Sequence, residues 1–176
     1  MLKTLKNLAG YYKPYKGLFF SDMFFAILGA AITLVIPLIV RYITSNIVNL
    51  PVDIATGMIV KLGIFMILLV LIEAFCNFYI AYYGHIMGAQ IERDMRNEIF
   101  GHYQKLSFAF YDNQKVGHLL SRITADLFDI SELLHHGPED LVISIIKFLG
   151  AFIILMLVNV RLALAAFLFV PFLIIY

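Results

Sequence analysis

The sequence predicts an all-α membrane protein: apolar helices span a bilayer, and a long polar helical hairpin lies between the second and third spans. The first observation is composition, because 62% of the 176 residues are hydrophobic and only 14% are charged. Soluble domains average about 45–50% apolar and 25% charged residues, so this chain cannot supply a water-exposed surface. The second observation is a mean hydropathy of +0.90. The apolar residues are therefore expected to face lipid.

Charge and cysteine content argue against a nucleic-acid-binding protein and against a fold that needs disulfides. The formal net charge is +1, so no basic field points to a nucleic-acid partner. Cys76 is the single cysteine of the sequence and cannot form an internal disulfide, so the fold does not depend on an oxidising compartment.

Residues 1–17 predict an amphipathic helix that lies on the membrane surface as an elbow before the first span. Its apolar residues recur at helical spacing, and they are Leu2, Leu5 and Leu8. Lysines occupy other faces, and Pro14 is expected to close the segment.

Two spans follow the elbow. Residues 18–40 form the first, because a helix of that length covers the roughly 30 Å hydrocarbon core of a bilayer. Pro37 is expected to kink or end this helix, since proline lacks an amide N–H. A turn-rich connection leads to the second span at residues 59–83. Its end carries aromatic rings that favour the headgroup level, namely Tyr79, Tyr82 and Tyr83.

The composition turns polar after the second span, and residues 84–140 predict a cytoplasmic helical hairpin. Glu92 and Arg96 lie one turn apart and are expected to pair on a solvated helix. Residues 111–117 predict a loop, because Asp and Asn favour caps and Gly permits unusual dihedral angles. Apolar residues then recur at helical spacing from Leu119, so a helix restarts there.

Two more apolar runs end the chain. His135-His136-Gly137-Pro138 is expected to separate the hairpin from a third span at residues 141–158. Asn159-Val160-Arg161 predicts a tight turn, and a fourth span begins at residues 162–176. This last run is shorter than the roughly 20 residues that a spanning helix needs, so the chain is expected to be a fragment of a longer protein.

Lysine and arginine are distributed unevenly between the two predicted sides of the membrane. Residues 1–17 carry four and residues 84–140 carry five, whereas the opposite side carries Arg41, Lys61 and Arg161. Cytoplasmic segments are enriched in these residues. We therefore expect a multi-pass protein of the plasma membrane whose N-terminus and hairpin are both cytoplasmic.

A set of residues along the hairpin matches the spacing of a known family. It comprises Phe110-Tyr111-Asp112, Gly117, Leu119, Ser121-Arg122 and Asp126. This pattern resembles the first intracellular loop of ATP-binding cassette (ABC) exporters with the type I transmembrane fold. The resemblance continues upstream and downstream, through Tyr12-Lys13-Pro14-Tyr15-Lys16, Pro37, Arg93, Arg96 and Pro171. It covers essentially the whole chain.

The resemblance implies that residues 18–176 are part of a six-helix transmembrane domain that alternates between inward-open and outward-open states. Its partners would be the lipid bilayer, a nucleotide-binding domain in the same or a separate chain, and a second transporter half forming a homo- or heterodimer. The hairpin tip would be the coupling helix that docks on the nucleotide-binding domain, formed by Tyr111, Asp112, Asn113, Gln114, Lys115, Val116 and Gly117. Three residues are expected to stabilise this loop, namely Ser121, Arg122 and Asp126, the last two as an i, i+4 pair.

No catalytic, cofactor or metal site is predicted in the chain itself. The sequence has no Gly-x-x-x-x-Gly-Lys-Ser/Thr phosphate loop, so ATP and Mg²⁺ are implied only for the nucleotide-binding domain. Asp112 and Asp126 are expected to be a helix cap and a solvated or ion-paired position rather than paired catalytic carboxylates. Adjacent histidines on a helix point in different directions, so His135-His136 does not predict a metal site.

Polar and small residues at the second span allow more than one interpretation. Glu73 lies near the middle of the span, where an acidic group costs about 2.5–3.5 kcal/mol, and Asn77 follows one turn later. The two residues either line a translocation cavity, or Glu73 is protonated or hydrogen-bonded to a neighbouring helix. Gly84 and Gly88 form a small-residue pair that permits close approach between helices.

Two functions stay open on the sequence. One is the transmembrane part of an ATP-driven ABC exporter; the alternative is a membrane anchor or scaffold whose hairpin binds a cytoplasmic partner without transport. Further apolar spans and a phosphate loop encoded downstream of Tyr176 would favour the exporter, whereas a stop codon there would favour the scaffold. Aromatic-rich apolar surfaces suit hydrophobic drugs, lipids or peptides and do not choose between these substrates.

Overall fold

The computed structural model describes residues 7–112 and 114–170, which contain helices and no strand. We label the α-helices of these ranges in chain order: α1 (Lys16–Tyr42), α2 (Val52–Tyr79), α3 (His85–Tyr103), α4 (Phe108–Asp112), α5 (Val116–Ser121), α6 (Leu127–Val158) and α7 (Val160–Phe167). A 3₁₀-helix at Gly10–Tyr15 leads into α1. Turns of π-helix occupy Ile43–Ile47, Ile80–Gly84 and Arg122–Asp126. The predicted all-α fold class is confirmed.

Three continuous helical stretches among the described residues are long and apolar enough to cross a membrane. They are Asn7–Ile47, Val52–Tyr103 and Val116–Val158. Large aliphatic side chains along α2 remain exposed, including Ile64, Ile67 and Leu71. Such exposure is stable when the surrounding solvent is hydrocarbon, which is as apolar as these side chains.

The chain divides into two compact units. The first comprises Met1–Ala26 and Asn77–Leu141, and the second comprises Ile27–Cys76 and Val142–Tyr176. In the first unit, α3 contributes a stripe of buried residues spaced by four positions, namely Met87, Ile91 and Met95. They form one core with residues of α6 and with aromatic residues of the N-terminal segment, namely Leu127, Leu134, Tyr12, Tyr15 and Phe19.

The second unit is packed through small residues. Ala30 of α1 and Cys76 of α2 are buried, and a Cβ added to Gly150 of α6 would lie 2.2 Å from the Leu34 side chain. Small residues at such positions let membrane helices approach closely. The ring of Phe167 in α7 contacts Phe152, with ring centroids 4.6 Å apart.

Prolines do not end the helices where the sequence led us to expect it. Pro14 lies inside the 3₁₀-helix, Pro37 lies inside α1, and Pro138 lies inside α6. Helix α6 therefore runs from the polar segment into the third apolar run without a break at Pro138. At Pro138 the physical reason is visible: the carbonyl of Leu134, four residues earlier, loses its helical N–H partner but accepts a hydrogen bond from the Tyr12 hydroxyl.

Helix α2 begins at Val52, and its helical stretch continues through the polar segment to Tyr103. These helix ends do not fix the limits of the membrane spans, which stay predictions. The break predicted at Asn159 is confirmed, where the side-chain oxygen accepts the backbone N–H groups of Arg161 and Leu162 at 3.0 and 3.2 Å. Residues 1–6 of the elbow and 171–176 of the fourth apolar run lie outside the described residues.

Close approach at the Gly-x-x-x-Gly pair occurs within the first unit. A Cβ added to Gly84 would lie 2.0 Å from His135 Cε1, and one added to Gly88 would lie 3.5 Å from His135 Cβ. The His135 side chain is buried, so its ring has little room to move. These glycines therefore serve the packing of the chain's own helices.

We predict that Gly84→Ala lowers stability, whereas Gly101→Ala does not. Overpacking a filled site costs about 1–3 kcal/mol, and the added methyl group at position 84 would overlap the buried His135 ring. A Cβ on Gly101 meets nothing within 4 Å, and alanine favours helix over glycine by about 1 kcal/mol. Thermal unfolding of both variants in detergent checks this, and equal melting temperatures would contradict it.

Candidate functional site at the hairpin tip

The polar segment reverses direction between α3 and α6. Helix α3 ends at Tyr103, and the short helices α4 and α5 follow. Tyr111 and Asp112 end α4, and Gly117 lies in the first turn of α5, so the predicted loop at 111–117 is too long. Of the residues between α4 and α5, the structure describes Gln114 and Lys115 as non-helical.

A side-chain hydrogen bond closes this turn. The Tyr111 hydroxyl donates to the backbone carbonyl of Tyr103 over 2.5 Å. That carbonyl belongs to the last turn of α3, where helical N–H partners run out. Tyr111 therefore ties α4 to the end of α3.

Large apolar side chains are exposed at the tip, although the hairpin is otherwise polar. Phe108 is 90% exposed, Val116 is 68% exposed and Leu120 is 60% exposed. We call these three residues and Phe100 the tip patch. Phe100, Val116 and Leu120 line one shallow groove together with Tyr103 and Tyr111, whereas Phe108 is not among the residues that line it. Exposed apolar surface on a polar element is typical of an interaction site.

The predicted coupling residues differ in what they contribute. Asp112, Gln114, Lys115, Val116 and Gly117 are exposed, and Tyr111 is half-buried, whereas Asn113 lies outside the described residues. The expected cap at Asp112 is not formed, because Lys115 is the N-cap of α5 and makes no side-chain capping bond.

Gly117 is not required by the conformation of this chain. No described residue has a positive φ, and a Cβ at this position would meet nothing within 4 Å. Any need for glycine here must come from a molecule that approaches the backbone from outside.

The predicted loop-stabilising residues are exposed. Ser121 ends α5, and Arg122 and Asp126 bound the π-helical turn that follows. Within the described ranges, no ion pair joins Arg122 to Asp126. An exposed pair of this kind would in any case add at most about 1 kcal/mol.

Arg96 makes a contact between the two sides of the hairpin, which is the stabilising role predicted for Ser121, Arg122 and Asp126. Its Nε donates to the carbonyl of Ile123 at 3.3 Å, which connects α3 to the π-helical turn. Its guanidinium also pairs with Glu92, as the i, i+4 spacing predicts. The bond to Ile123 was not predicted, because it joins residues 27 positions apart.

Tyrosines of the N-terminal segment attach that segment to the polar helix α3. The Tyr11 hydroxyl donates to Glu98 and the Tyr15 hydroxyl donates to Asp94, each at 2.6 Å. Asp94 lies in the polar segment outside the apolar spans, and the Tyr15 hydrogen bond, followed by Arg93, holds its pKa below the usual range. Asp94 and Glu98 are four residues apart in α3, so both acids lie on one face of that helix.

Glu73 and Asn77, the predicted cavity residues, have different surroundings. Asn77 is exposed, whereas Glu73 is half-buried and its Oε1 lies 2.8 Å from the Thr33 hydroxyl. The same hydroxyl lies 3.0 Å from the carbonyl of Gly29. A hydroxyl has one proton, so both contacts are hydrogen bonds when Glu73 is protonated and donates to Thr33.

A buried polar cluster in the first unit was missed. It consists of Asp22, His135 and Glu139, all nearly inaccessible to solvent. The sequence contained one signal of this cluster, because Asp22 is an isolated acidic residue near the start of the first predicted span. Its partners lie more than 100 positions later, and no local pattern could identify them.

The sequence profile of the ABC transporter transmembrane region matches residues 19–176. The chain belongs to this family of ABC transporter transmembrane regions. It is 44% identical over 167 residues to the ABC transporter ATP-binding protein YwjA of Bacillus subtilis, covering 95% of this chain and 28% of YwjA. A Staphylococcus aureus protein, named for multidrug export as an ATP-binding/permease protein, is 27% identical over 172 residues, covering 96% of this chain and 30% of that protein.

The match to the ABC transporter family confirms the resemblance that was noted from the residue pattern of the hairpin. The matched range contains most of the first apolar helical stretch, all of the other two, and the whole polar segment with its tip patch. A second Bacillus subtilis relative, the ABC transporter ATP-binding protein YknU, is 33% identical over 141 residues, which are 80% of this chain and 24% of YknU. The chain thus spans less than a third of the length of these relatives.

We predict that Tyr111→Phe loosens the tip. Losing one hydrogen bond costs about 1 kcal/mol, which corresponds to a roughly fivefold larger open population at the turn. Trypsin cleavage after Lys105 and Lys115 should therefore accelerate by about that factor. The control is Tyr42→Phe, which removes a tyrosine hydroxyl at the C-terminal end of α1. Equal cleavage rates in the two variants would contradict the role of Tyr111.

Proposed function

We propose that this chain is the part of an ATP-driven exporter that couples ATP hydrolysis on a nucleotide-binding domain to movement of substrate across the membrane. The observation that carries the proposal is the tip patch, an exposed apolar surface on a polar hairpin in a chain of the ABC transporter transmembrane family. In a water-facing hairpin such surface is costly unless a partner covers it.

The partner that we propose for the tip patch is the nucleotide-binding domain. The relatives are named as ATP-binding proteins, and the chain matches less than a third of their length. ATP and Mg²⁺ would bind that domain and not the residues described here. A second transporter half would complete the translocation pathway.

Coupling requires that the tip move as a body when its partner moves. The Tyr111 bond to Tyr103 and the Arg96 bond to Ile123 tie α4 and the π-helical turn to α3. Switching transitions commonly use packed elements that shift together in this way. Helix α6 begins in the polar segment at Leu127 and ends in the apolar segment at Val158, so it belongs to both.

The orientation that we propose places the N-terminus and the hairpin in the cytoplasm of a plasma-membrane protein. The excess of lysine and arginine in these two segments supports it. Protease protection in sealed vesicles tests it, and protection of residues 84–140 from a protease on the cytoplasmic side would exclude docking on a cytoplasmic domain.

We predict that Gly117→Ala, Val116→Ser and Phe108→Ser uncouple ATP hydrolysis from transport without unfolding the protein. Gly117→Ala adds a methyl group in open space beside the backbone, and the two serine variants remove apolar surface. None of the three substituted residues is itself buried. The measurement is substrate-stimulated ATPase activity and transport in proteoliposomes, with the transporter assembled with its nucleotide-binding domains.

The matched control for these tip variants is Gly101→Ala, which also adds a methyl group to open helical backbone. It should leave coupling unchanged, whereas the tip variants should lower stimulation at least about tenfold, as expected for interface residues worth over 1.4 kcal/mol. Normal coupling in all three tip variants would contradict the proposed docking site.

For Glu73 we propose a packing role. The contact with Thr33 supports it, since hydrogen bonds between membrane helices compensate for buried polar groups. Cationic selectivity or proton exchange at Glu73 is the competing interpretation.

We predict that Glu73→Gln leaves substrate range and coupling unchanged, because the amide can donate to Thr33 as the protonated acid does. Thr33→Val removes the partner and should lower stability by about 0.6 kcal/mol, the average for such bonds in membranes. Transport assays with cationic and neutral substrates check the first outcome. A changed substrate range or changed pH dependence of transport in Glu73→Gln would favour a role in the cavity.

A further inference from the structure

Three buried polar side chains of the first unit converge at one place. Asp22 of α1 is 1% exposed, His135 of α6 is 2% exposed, and Glu139, one turn later, is 7% exposed. One oxygen or nitrogen from each lies within 4.8 Å of those of the other two. Because positions 135 and 139 are four residues apart, their side chains share one face of α6.

These groups lack ordinary partners. Both carboxylate oxygens of Asp22, both ring nitrogens of His135 and Oε2 of Glu139 have no hydrogen bond to any described residue. Nδ1 of His135 lies 3.9 Å from Oε2 of Glu139, which is too long for a hydrogen bond. Buried polar atoms are nearly always satisfied, so five at one point indicate a ligand.

The charges at this point also favour a cation. Asp22 and Glu139 are two acidic groups in a desolvated place, and no lysine or arginine of the described ranges forms an ion pair with either. Buried charges are otherwise paired or bound to metals. A divalent cation would neutralise both carboxylates at once.

The donor atoms identify the class of metal. Imidazole nitrogen combined with carboxylate oxygen suits zinc and neighbouring first-row transition metals, whereas Mg²⁺ and Ca²⁺ favour oxygen ligands alone. Zinc bound tetrahedrally at roughly 2.0–2.2 Å from each donor would hold the donors roughly 3.3–3.6 Å apart, so side-chain shifts of about 1 Å would form the site.

Two further histidines border the cluster. The ring centroids of His85 and His136 lie 4.9 and 4.3 Å from that of His135, and nitrogens of the three rings lie within 4.8 Å of one another. Gly84 precedes His85 and leaves the space that the His135 ring occupies. A second imidazole nitrogen therefore lies near His135, and Nδ1 of His136 lies 3.9 Å from Oε2 of Glu139.

We propose that Asp22, His135 and Glu139 bind a divalent transition-metal ion of the zinc class, with His85 or His136 as a fourth ligand. The sequence argument against a metal site concerned the adjacent pair His135-His136. The proposed site takes its essential ligands from His135 and from two carboxylates, one of them on a different helix. It does not depend on the proposed transport function.

The test uses the full protein, purified in detergent with an affinity tag that contains no histidine. After stripping with EDTA and titration with ZnCl₂, we expect about one zinc ion per chain by mass spectrometry of metals, and a melting temperature that rises with zinc concentration. MgCl₂ at the same concentrations should not raise it. A wild-type protein that retains no zinc and whose melting temperature ignores Zn²⁺, Mn²⁺ and Co²⁺ overturns the proposal.

Variants locate the site. Asp22→Asn, His135→Gln and Glu139→Gln should each weaken zinc affinity more than about tenfold, since even supporting residues around metals cost 10- to 100-fold. Asp129→Asn and His118→Gln change exposed residues of the same polar segment and should bind zinc as the wild type does. Unchanged zinc affinity in the cluster variants would also overturn the proposal, and the wild-type measurement decides the matter if a variant fails to fold.

Discussion

The constraint on which the rest of this structure depends is that hydrocarbon offers no hydrogen bonds to the backbone. Every N–H and C=O group within the bilayer must be satisfied by the protein, and helices achieve this most directly. The chain accordingly stays helical over stretches such as Asn7–Ile47, even where proline interrupts the bonding pattern. Proline also leaves a carbonyl without its helical partner in the polar segment, where the Tyr12 hydroxyl donates to the carbonyl of Leu134.

The polar segment, which we propose to face water, follows a different rule. Its helices need a buried stripe to hold them, and Met87, Ile91 and Met95 provide it with residues of α6. Around this narrow core, polar contacts to distant residues add orientation, as Arg96 does at Ile123 and Tyr15 at Asp94. The tip patch differs from this core because its apolar side chains are exposed and are not packed in it.

Composition and periodicity predicted the fold class, the polar hairpin and the position of its tip, because these depend on local sequence. They could not predict contacts with distant partners. The Tyr12 hydroxyl, 122 positions from Leu134, donates to the carbonyl that Pro138 leaves without a helical partner. The expected Arg122–Asp126 pair is not formed in the described structure: the spacing permits it, but exposed charges gain little from pairing.

The packing around Gly84 connects these observations to the buried cluster. If close helix packing were the only requirement, an apolar residue at position 135 would satisfy it at lower cost than histidine, whose ring nitrogens are unpartnered within the described structure. The same holds for the carboxyl groups at positions 22 and 139. Proteins keep such unfavourable groups together mainly where they serve a function. Gly84, which allows the close packing of the helices, also leaves the space that the His135 ring would need in the proposed metal site.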